Sequence, residues 1–178
     1  MLKKCCFTGY RPEKLPYLKD SGSREYKRLK TALENAVDQA IEDGYTYFIS
    51  GFARGIDLMA ADIVLAKGKG EPAILLEAAI PCLDQAAGWG LRDAKLYKSL
   101  LAQANYKVYL DKRPDKNCYL ERNRYMVDCS QRIIGVFDGQ KGGTAHTITY
   151  GRRLGRELVI IDPHTFKAEK LFPESTLF

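Results

Sequence analysis

The sequence predicts an α/β protein built on a mostly parallel, doubly wound sheet with helices on both faces, and three observations predict it. Short apolar and aromatic runs alternate with helically spaced segments along most of the chain. The run PAILLEAAIP lacks the in-out alternation of a strand with one wet face, so it reads as a strand covered on both sides. Three runs stop in glycine-containing turns, at Gly9, Gly51 and Gly139. In such sheets ligands bind outside the carboxyl ends of the strands, where the strand order reverses. At 178 residues, 46% of them hydrophobic, the chain can bury one full core, so residues 1–178 are read as one Rossmann-like domain.

The elements follow in order. KKCCFTG (3–9) is a short strand stopped by Gly9, Arg11 and Pro12. REYKRLKTALENAVDQAIEDG spaces Leu29, Leu33, Ala36, Val37, Ala40 and Ile41 at helical intervals, and Gly44 supplies the stop. YTYFISG is the second strand, and DLMAADIVLAKG is a helix with Met59, Ile63 and Ala66 on one face. PAILLEAAIP is the third strand, followed by the polar and aromatic connection CLDQAAGWG. A helix through LRDAKLYKSLLAQA, the strand YKVYLD, the helix CYLERNRYMVDCS, the strand RIIGVFDG and the helix TAHTITYGRRLG lead to a last strand, ELVIID. Residues 163–178 are expected to form an irregular tail.

Composition narrows the function classes. Cys5, Cys6, Cys82, Cys118 and Cys129 form no C-x-x-C pair, and only His146 and His164 accompany them. No metal site is therefore expected, and the thiols read as buried and reduced. No apolar run reaches the length of a membrane span and the first ten residues lack a signal-peptide core, so the expectation is a cytoplasmic protein with no membrane partner. The formal net charge of +6 favours anionic partners such as nucleotides or nucleic acid. The clusters Lys27-Arg28-Lys30 and Arg152-Arg153-Arg156 also read as ordinary solvated helix faces.

Three turns should share the carboxyl edge. In TGYRP, Gly9 permits a sharp turn and Arg11 can reach an anion, or the arginine is simply solvated. In SGFARGIDLMAAD, beginning at Ser50, Gly51 and Gly55 flank Phe52-Ala53-Arg54 just before a helix, whose unpaired N–H groups and dipole favour an anion. Asp57 in the first helical turn either accepts from ligand hydroxyls, such as those of a ribose, or complements the dipole. In DGQKGGTAHT, Gly139, Gly142 and Gly143 precede Thr144 at a helix start; the alternative is a flexible loop with a threonine cap. Neither a P-loop nor a G-x-G-x-x-G fingerprint is present, which disfavours ordinary ATPase and dehydrogenase readings.

SGFARGID resembles the Rossmann-domain motif of the DNA-processing protein A (Smf) family, and RNRYMVDCSQRIIGVFDG…GGT resembles the matching part of the superfamily that joins it to the Lonely Guy (LOG) phosphoribohydrolases. Taken in order, TGYRP, SGFARGID, the GWG region, RNRYMVD and GGTAHTITYG resemble most the small YpsA-like (DUF1273) branch, over nearly the whole chain. The resemblance implies a domain that binds a nucleotide or a nucleotide-derived ligand, ADP-ribose- or NAD-like or a nucleoside monophosphate, with no certain cofactor. Ser50, Gly51, Arg54, Gly55, Gly142, Gly143 and Thr144 are the expected phosphate contacts, with Gly9, Arg11, Asp57 and Gly139 beside them.

Two alternatives come with it. As a LOG-like N-glycoside hydrolase the chain would use Arg122, which matches that family's catalytic arginine, with Met126 at its following methionine and Gly143-Thr144 at its Gly-Thr. The family's glutamate position is Thr147 here, and Asp138 stands where its loop has proline. An oxocarbenium-like centre needs a carboxylate, so Glu77, Asp57, Glu121 or Asp128 would have to substitute. As a single-stranded DNA binder it would place Arg54, Arg122 and Arg124 on phosphates and stack bases on Tyr10, Tyr125 or Trp89. Tyr125 reads first as helix packing, Arg124 and Asp128 as an intrahelical pair, and Trp89 either as a lid over a purine or as a plug of the domain edge. His146, just after Gly-Gly-Thr, is within reach of a phosphate. A homodimer through helix faces is the expected assembly.

Overall fold

The computed structural model describes residues 2–71, 73–111 and 117–172. The chain runs through β1 (Lys3–Thr8), a short 3-10 turn (Pro16–Lys19), α1 (Arg24–Glu42), β2 (Tyr45–Ser50), α2 (Ile56–Gly70), β3 (Leu75–Ile80) and α3 (Leu91–Gln103). It continues through β4 (Tyr106–Tyr109), α4 (Cys118–Asp128), β5 (Arg132–Val136), α5 (Gly143–Arg153), β6 (Glu157–Ile161) and β7 (Ala168–Leu171). The seven strands form one sheet in the order β4-β3-β2-β1-β5-β6-β7, parallel throughout except for β7. This is the Rossmann-like arrangement that the alternation of strands and helices predicts. Pro72, which opens the third apolar run, and the tail beyond residue 172 lie outside the described residues.

Each face of the sheet has its own core. On one side Phe7, Phe48, Leu76, Ile80 and Ile134 pack against Leu29, Leu33 and Val37 of α1, Ile63 of α2 and Leu100 of α3. On the other, Cys6, Ile49, Ala79 and Ile133 pack against Met126 and Val127 of α4 and Ile148 of α5. Helix α1 shows why such segments fold as they do. Ser23 caps it by accepting from the Tyr26 N–H at 3.2 Å, its apolar stripe is buried, and Gly44 beyond its end adopts φ +88. Helix α2 departs from the expected single buried face: Ile56 to Ala61, Ile63 and Val64 are buried, but Ala66 is exposed. Its first turns wedge between α1 and α3, so burial depends there on position along the helix more than on its face.

The expectation of an irregular tail from Pro163 is corrected. Residues 168–171 form β7, antiparallel to β6, and the loop between them is tightly tied. The Asp162 carboxylate accepts from the N–H groups of His164 and Thr165, both at 2.8 Å, and its carbonyl accepts from the Phe166 N–H at 2.8 Å. The strand escapes the hydrophobic pattern because AEKL is polar and exposed at the sheet edge. Backbone pairing and the ion pair from Lys170 to Glu157, 2.7 Å, stand where apolar burial normally would.

Strand β1 sits between β2 and β5, so the crossovers leave it in opposite directions. The crevice this creates lies outside the carboxyl ends of β1 and its neighbours, where ligands bind in sheets of this kind, and the candidate cleft is there.

Candidate functional site

The turns after β1, β2 and β5 meet at that crevice. Gly9 ends β1 where a Cβ would come within 2.6 Å of the Ile56 side chain, so only glycine lets the strand end pack against the start of α2. Gly55, at φ +91, caps α2 without a side chain, and a Cβ there would meet the Tyr10 carbonyl at 2.6 Å. Gly142, at φ +140, caps α5, also with no side-chain hydrogen bond. Two helices therefore begin beside the crevice with first-turn N–H groups that no side chain caps.

Between them lies a cleft of about 500 Å³ lined from β1, both helix starts and α4. Of the residues expected from the sequence, Gly9, Arg11, Arg54, Asp57, Arg122, Gly143 and Thr144 line it. Ser50 and Gly51 stand just behind the wall. The buried Ser50 hydroxyl donates to the Asp57 carbonyl at 2.8 Å and accepts from the Phe52 N–H at 3.2 Å. That clasp holds Phe52 at φ +55, a left-handed conformation costly for a bulky residue, with its ring edge-on to Tyr97. Gly139 and Gly142 shape the β5–α5 loop without lining the cleft. Trp89 is outside the lining, behind Arg54, packed edge-on to Tyr97 at 5.3 Å with the Arg54 guanidinium over its ring at 5.8 Å.

Arg122 is the centre of the site. It projects from α4, is 3% exposed, and donates from Nη1 to the Gly51 carbonyl and from Nε to Asn123 Oδ1 at 2.8 Å. Among the described residues no carboxylate lies within ion-pair distance of it. Burial lowers its basicity, opposed by the field of Asp57. Asp57 is buried too, and burial pushes its carboxyl above the usual range against the pull of Arg122 and of the Ala53 N–H. That N–H reaches Asp57 Oδ2 at 3.3 Å. The lining as a whole carries four cations (Arg11, Lys14, Arg54 and Arg122) against two carboxylates (Glu13 and Asp57). Glu13 is occupied by Arg54.

Several residues here had no place in the sequence reading. Tyr119 lines the cleft with the guanidiniums of Arg11 and Arg122 over its ring at 5.1 and 5.8 Å. Asn123 orients Arg122, and Lys14 comes from the loop after β1. Tyr10, considered as a stacking surface, is among the residues lining the cleft but is 2% exposed, and its hydroxyl donates to Asp138 at 2.5 Å, so it also braces the β5–α5 loop. Tyr125 donates to Glu77 at 2.8 Å, and Tyr47 donates to the same carboxylate at 2.5 Å, away from the cleft lining. Of Glu77, Asp57, Glu121 and Asp128, Asp57 alone lines the cleft. Asp128 is engaged by the Tyr150 hydroxyl at 2.8 Å, and the buried Thr147 donates to the Gly143 carbonyl at 2.9 Å.

Fold and cleft together define a Rossmann-like α/β protein with an anion-suited site at the switch point of its sheet. The chain belongs to the YspA SLOG family, whose YpsA model matches residues 5–153. Two curated relatives, both called UPF0398 proteins, come from Bacillus pumilus, 25% identical over 80% of this chain and 77% of that one, and from Bacillus subtilis, the protein YpsA, 24% identical over 80% of each. Among solved structures, DNA processing protein A from Streptococcus pneumoniae superposes with a TM-score of 0.62 at 17% identity. The match covers 90% of this chain but 50% of that protein, so the chain spans half the length of that neighbour. The Helicobacter pylori protein, a structure described for its single-stranded DNA binding mode, gives 0.59 at 19% identity over 94% and 68%. At these identities the neighbours speak for the fold. No helix among the described residues is long and apolar enough to cross a membrane.

Proposed function

We propose that the switch-point cleft binds a nucleotide or a nucleotide-derived ligand through its phosphate. The observation that carries this is Arg122, a buried guanidinium that lines the cleft without a carboxylate partner among the described residues. A buried cation held by a carbonyl and an amide leaves its charge to be matched by a ligand anion, and the uncapped start of α5 supplies further donors. Tyr119, flanked by Arg11 and Arg122, offers a ring face for a base, and Asp57 can accept from sugar hydroxyls.

Titration calorimetry with AMP, ADP-ribose and NAD tests the reading. One of them binds saturably, and Arg122→Ala weakens it by about 10- to 100-fold, the worth of a hydrogen bond to a charged group (about 1.5–3 kcal/mol). Absence of binding by any of the three, or binding indifferent to Arg122→Ala, sinks it. A second reading, nucleotide N-glycoside hydrolysis, draws support from the placement of Asp57 in the same cleft as Arg122. Release of free base in the same samples, lost in Asp57→Asn, distinguishes an enzyme from a binding module. Single-stranded DNA in this cleft, the ligand named for the Helicobacter neighbour, would instead give affinity that grows with strand length and is lost in Arg122→Ala.

A further inference from the structure

The corrected C-terminal hairpin builds a second surface. Its loop, residues 162–167, and strand β7 face α1 across a furrow that shares no lining residue with the cleft. The furrow's widest part is about 700 Å³, and Phe166 lines its whole length, which continues to Pro163 and His164 at one end and to Lys170 and Arg132 at the other. Phe166 adopts φ +62, a strained conformation for a bulky residue, which the hydrogen bonds of Asp162 hold in place. Tyr17 meets its ring edge-on at 6.3 Å, and the Arg28 guanidinium lies 4.6 Å from its centre.

The charge is one-sided. Arg24, Lys27 and Arg28 stand at i, i+3 and i+4 on α1, so they share one helix face about 5–6 Å apart, and Lys167 faces them from the loop. None of the four makes an ion pair among the described residues. Glu25, in the adjoining stretch, is the acid nearest them in sequence. At the far end the charge is balanced, because Asp43 and Glu157 neutralise Arg132 and Lys170. The family match ends at residue 153, so the hairpin wall lies outside the matched region.

We infer that this furrow is a binding track for single-stranded nucleic acid, seating its phosphates on Arg24, Lys27, Arg28 and Lys167 with a base or sugar over Phe166. A positively charged groove with an aromatic surface for a base is what a sequence-tolerant single-strand site combines. A basic furrow between a helix and a hairpin, with one aromatic ring along its length, suits a single strand. The inference stands whatever occupies the cleft.

Fluorescence anisotropy of labelled oligothymidylates with the full chain, over a series of salt concentrations, tests it. Affinity rises with strand length, and the variant Lys27→Gln/Lys167→Gln binds on the order of tenfold more weakly. Its log–log salt slope is shallower by about 1.4, two phosphate contacts at roughly 0.7 each. Its melting temperature and its mononucleotide affinity stay unchanged. Four results overturn the inference: no oligonucleotide binding, binding that ignores the double variant, loss of binding in Arg122→Ala instead, or equal competition by polyglutamate or anionic vesicles. Mononucleotide titration of the same double variant reports on the cleft separately, so the two proposals can fail independently.

Discussion

Two arginines, both buried at the sheet, have opposite surroundings. Arg132, at the amino end of β5 and 2% exposed, donates to Asp43 at 2.5 Å and to Glu157 at 2.9 Å, with its guanidinium over the Tyr45 ring at 4.3 Å. Lys170 completes the cluster by pairing with both carboxylates. Arg122, at the carboxyl edge and 3% exposed, has a carbonyl, an amide oxygen and a ring, and no ion pair among the described residues. Taking a guanidinium out of water is costly, and a paired carboxylate offsets much of that cost. The first arginine is therefore spent on the fold, tying α1, β5, β6 and β7 together. The second, facing only the more distant Asp57 among the described carboxylates, stands beside a cleft, and the proposed anion site rests on that difference.

The sharpest way to break this comparison is to delete each arginine. Arg132→Ala leaves two carboxylates with Lys170 alone, and removing one partner of a buried pair costs about 3–5 kcal/mol. Urea denaturation should show a loss of that size. Arg122→Ala removes a desolvated charge that makes no ion pair among the described residues, so its loss of stability should be smaller than that of Arg132→Ala. Equal losses in the two variants would mean that Arg122 is structural, and the ligand argument would lose its footing.

Gly51→Ala sharpens the same contrast. A Cβ at this position would come 2.5 Å from Arg122 Cζ and 2.7 Å from Asp57 Oδ2. The guanidinium is the end of a flexible chain and can swing aside, so the cost in stability is about 1 kcal/mol. Its position over the Gly51 carbonyl is lost, however, and nucleotide affinity should fall nearly as far as in Arg122→Ala. Unchanged affinity would show that the placement of Arg122 does not matter to binding.

How much of this was legible differs between elements for physical reasons. Strands β1, β2, β3, β5 and β6 and the helices of the described residues follow from apolar runs and helical spacing, because burial on one or both faces writes itself into the sequence. The exposed edge strand β4 shows only through its aromatic and β-branched run YKVY. Strand β7 does not, because its pairing is backbone and ionic and its side chains stay wet. In the cleft, Gly9, Gly51 and Gly55 are visible as glycines at strand ends and a helix start, but their reasons (Ile56, Arg122 and the Tyr10 carbonyl) are tertiary. Tyr119 and Asn123 were findable. Tyr119, Arg122, Asn123 and Met126 fall at i, i+3, i+4 and i+7, so one helical stripe drawn through Arg122 gathers them all. Lys14 leaves no such signal, since the loop after β1 has no period. Trp89 shows the converse: an aromatic between glycines suggested a lid, yet its contacts are with Tyr97 and Arg54.

The smallest effects are those of pH, and the two regions should answer it with opposite sign. Hydrogen bonds from Arg132 and then Lys170 hold the Asp43 carboxyl down to about 2, against about 3.9 in an unfolded chain. Its contribution is complete above the unfolded value and is lost as pH falls from about 4 toward 2. Asp57 is shifted upward, chiefly by burial. In the window above about 4 the folded state holds the Asp57 proton more tightly than the unfolded chain, so this group's contribution declines as pH rises and recovers on acidification. Asp43→Asn should flatten the acid limb of a stability–pH curve measured by urea denaturation. Asp57→Asn, whose amide oxygen can still accept from the Ala53 N–H, should raise stability slightly near neutrality and leave the acid limb in place. An acid limb indifferent to Asp43→Asn would remove the Arg132 cluster as its source. A loss of stability in Asp57→Asn at neutral pH would mean that the carboxylate is held in the cleft by Arg122 more strongly than burial opposes it, and the charge of Arg122 would then already be matched from within.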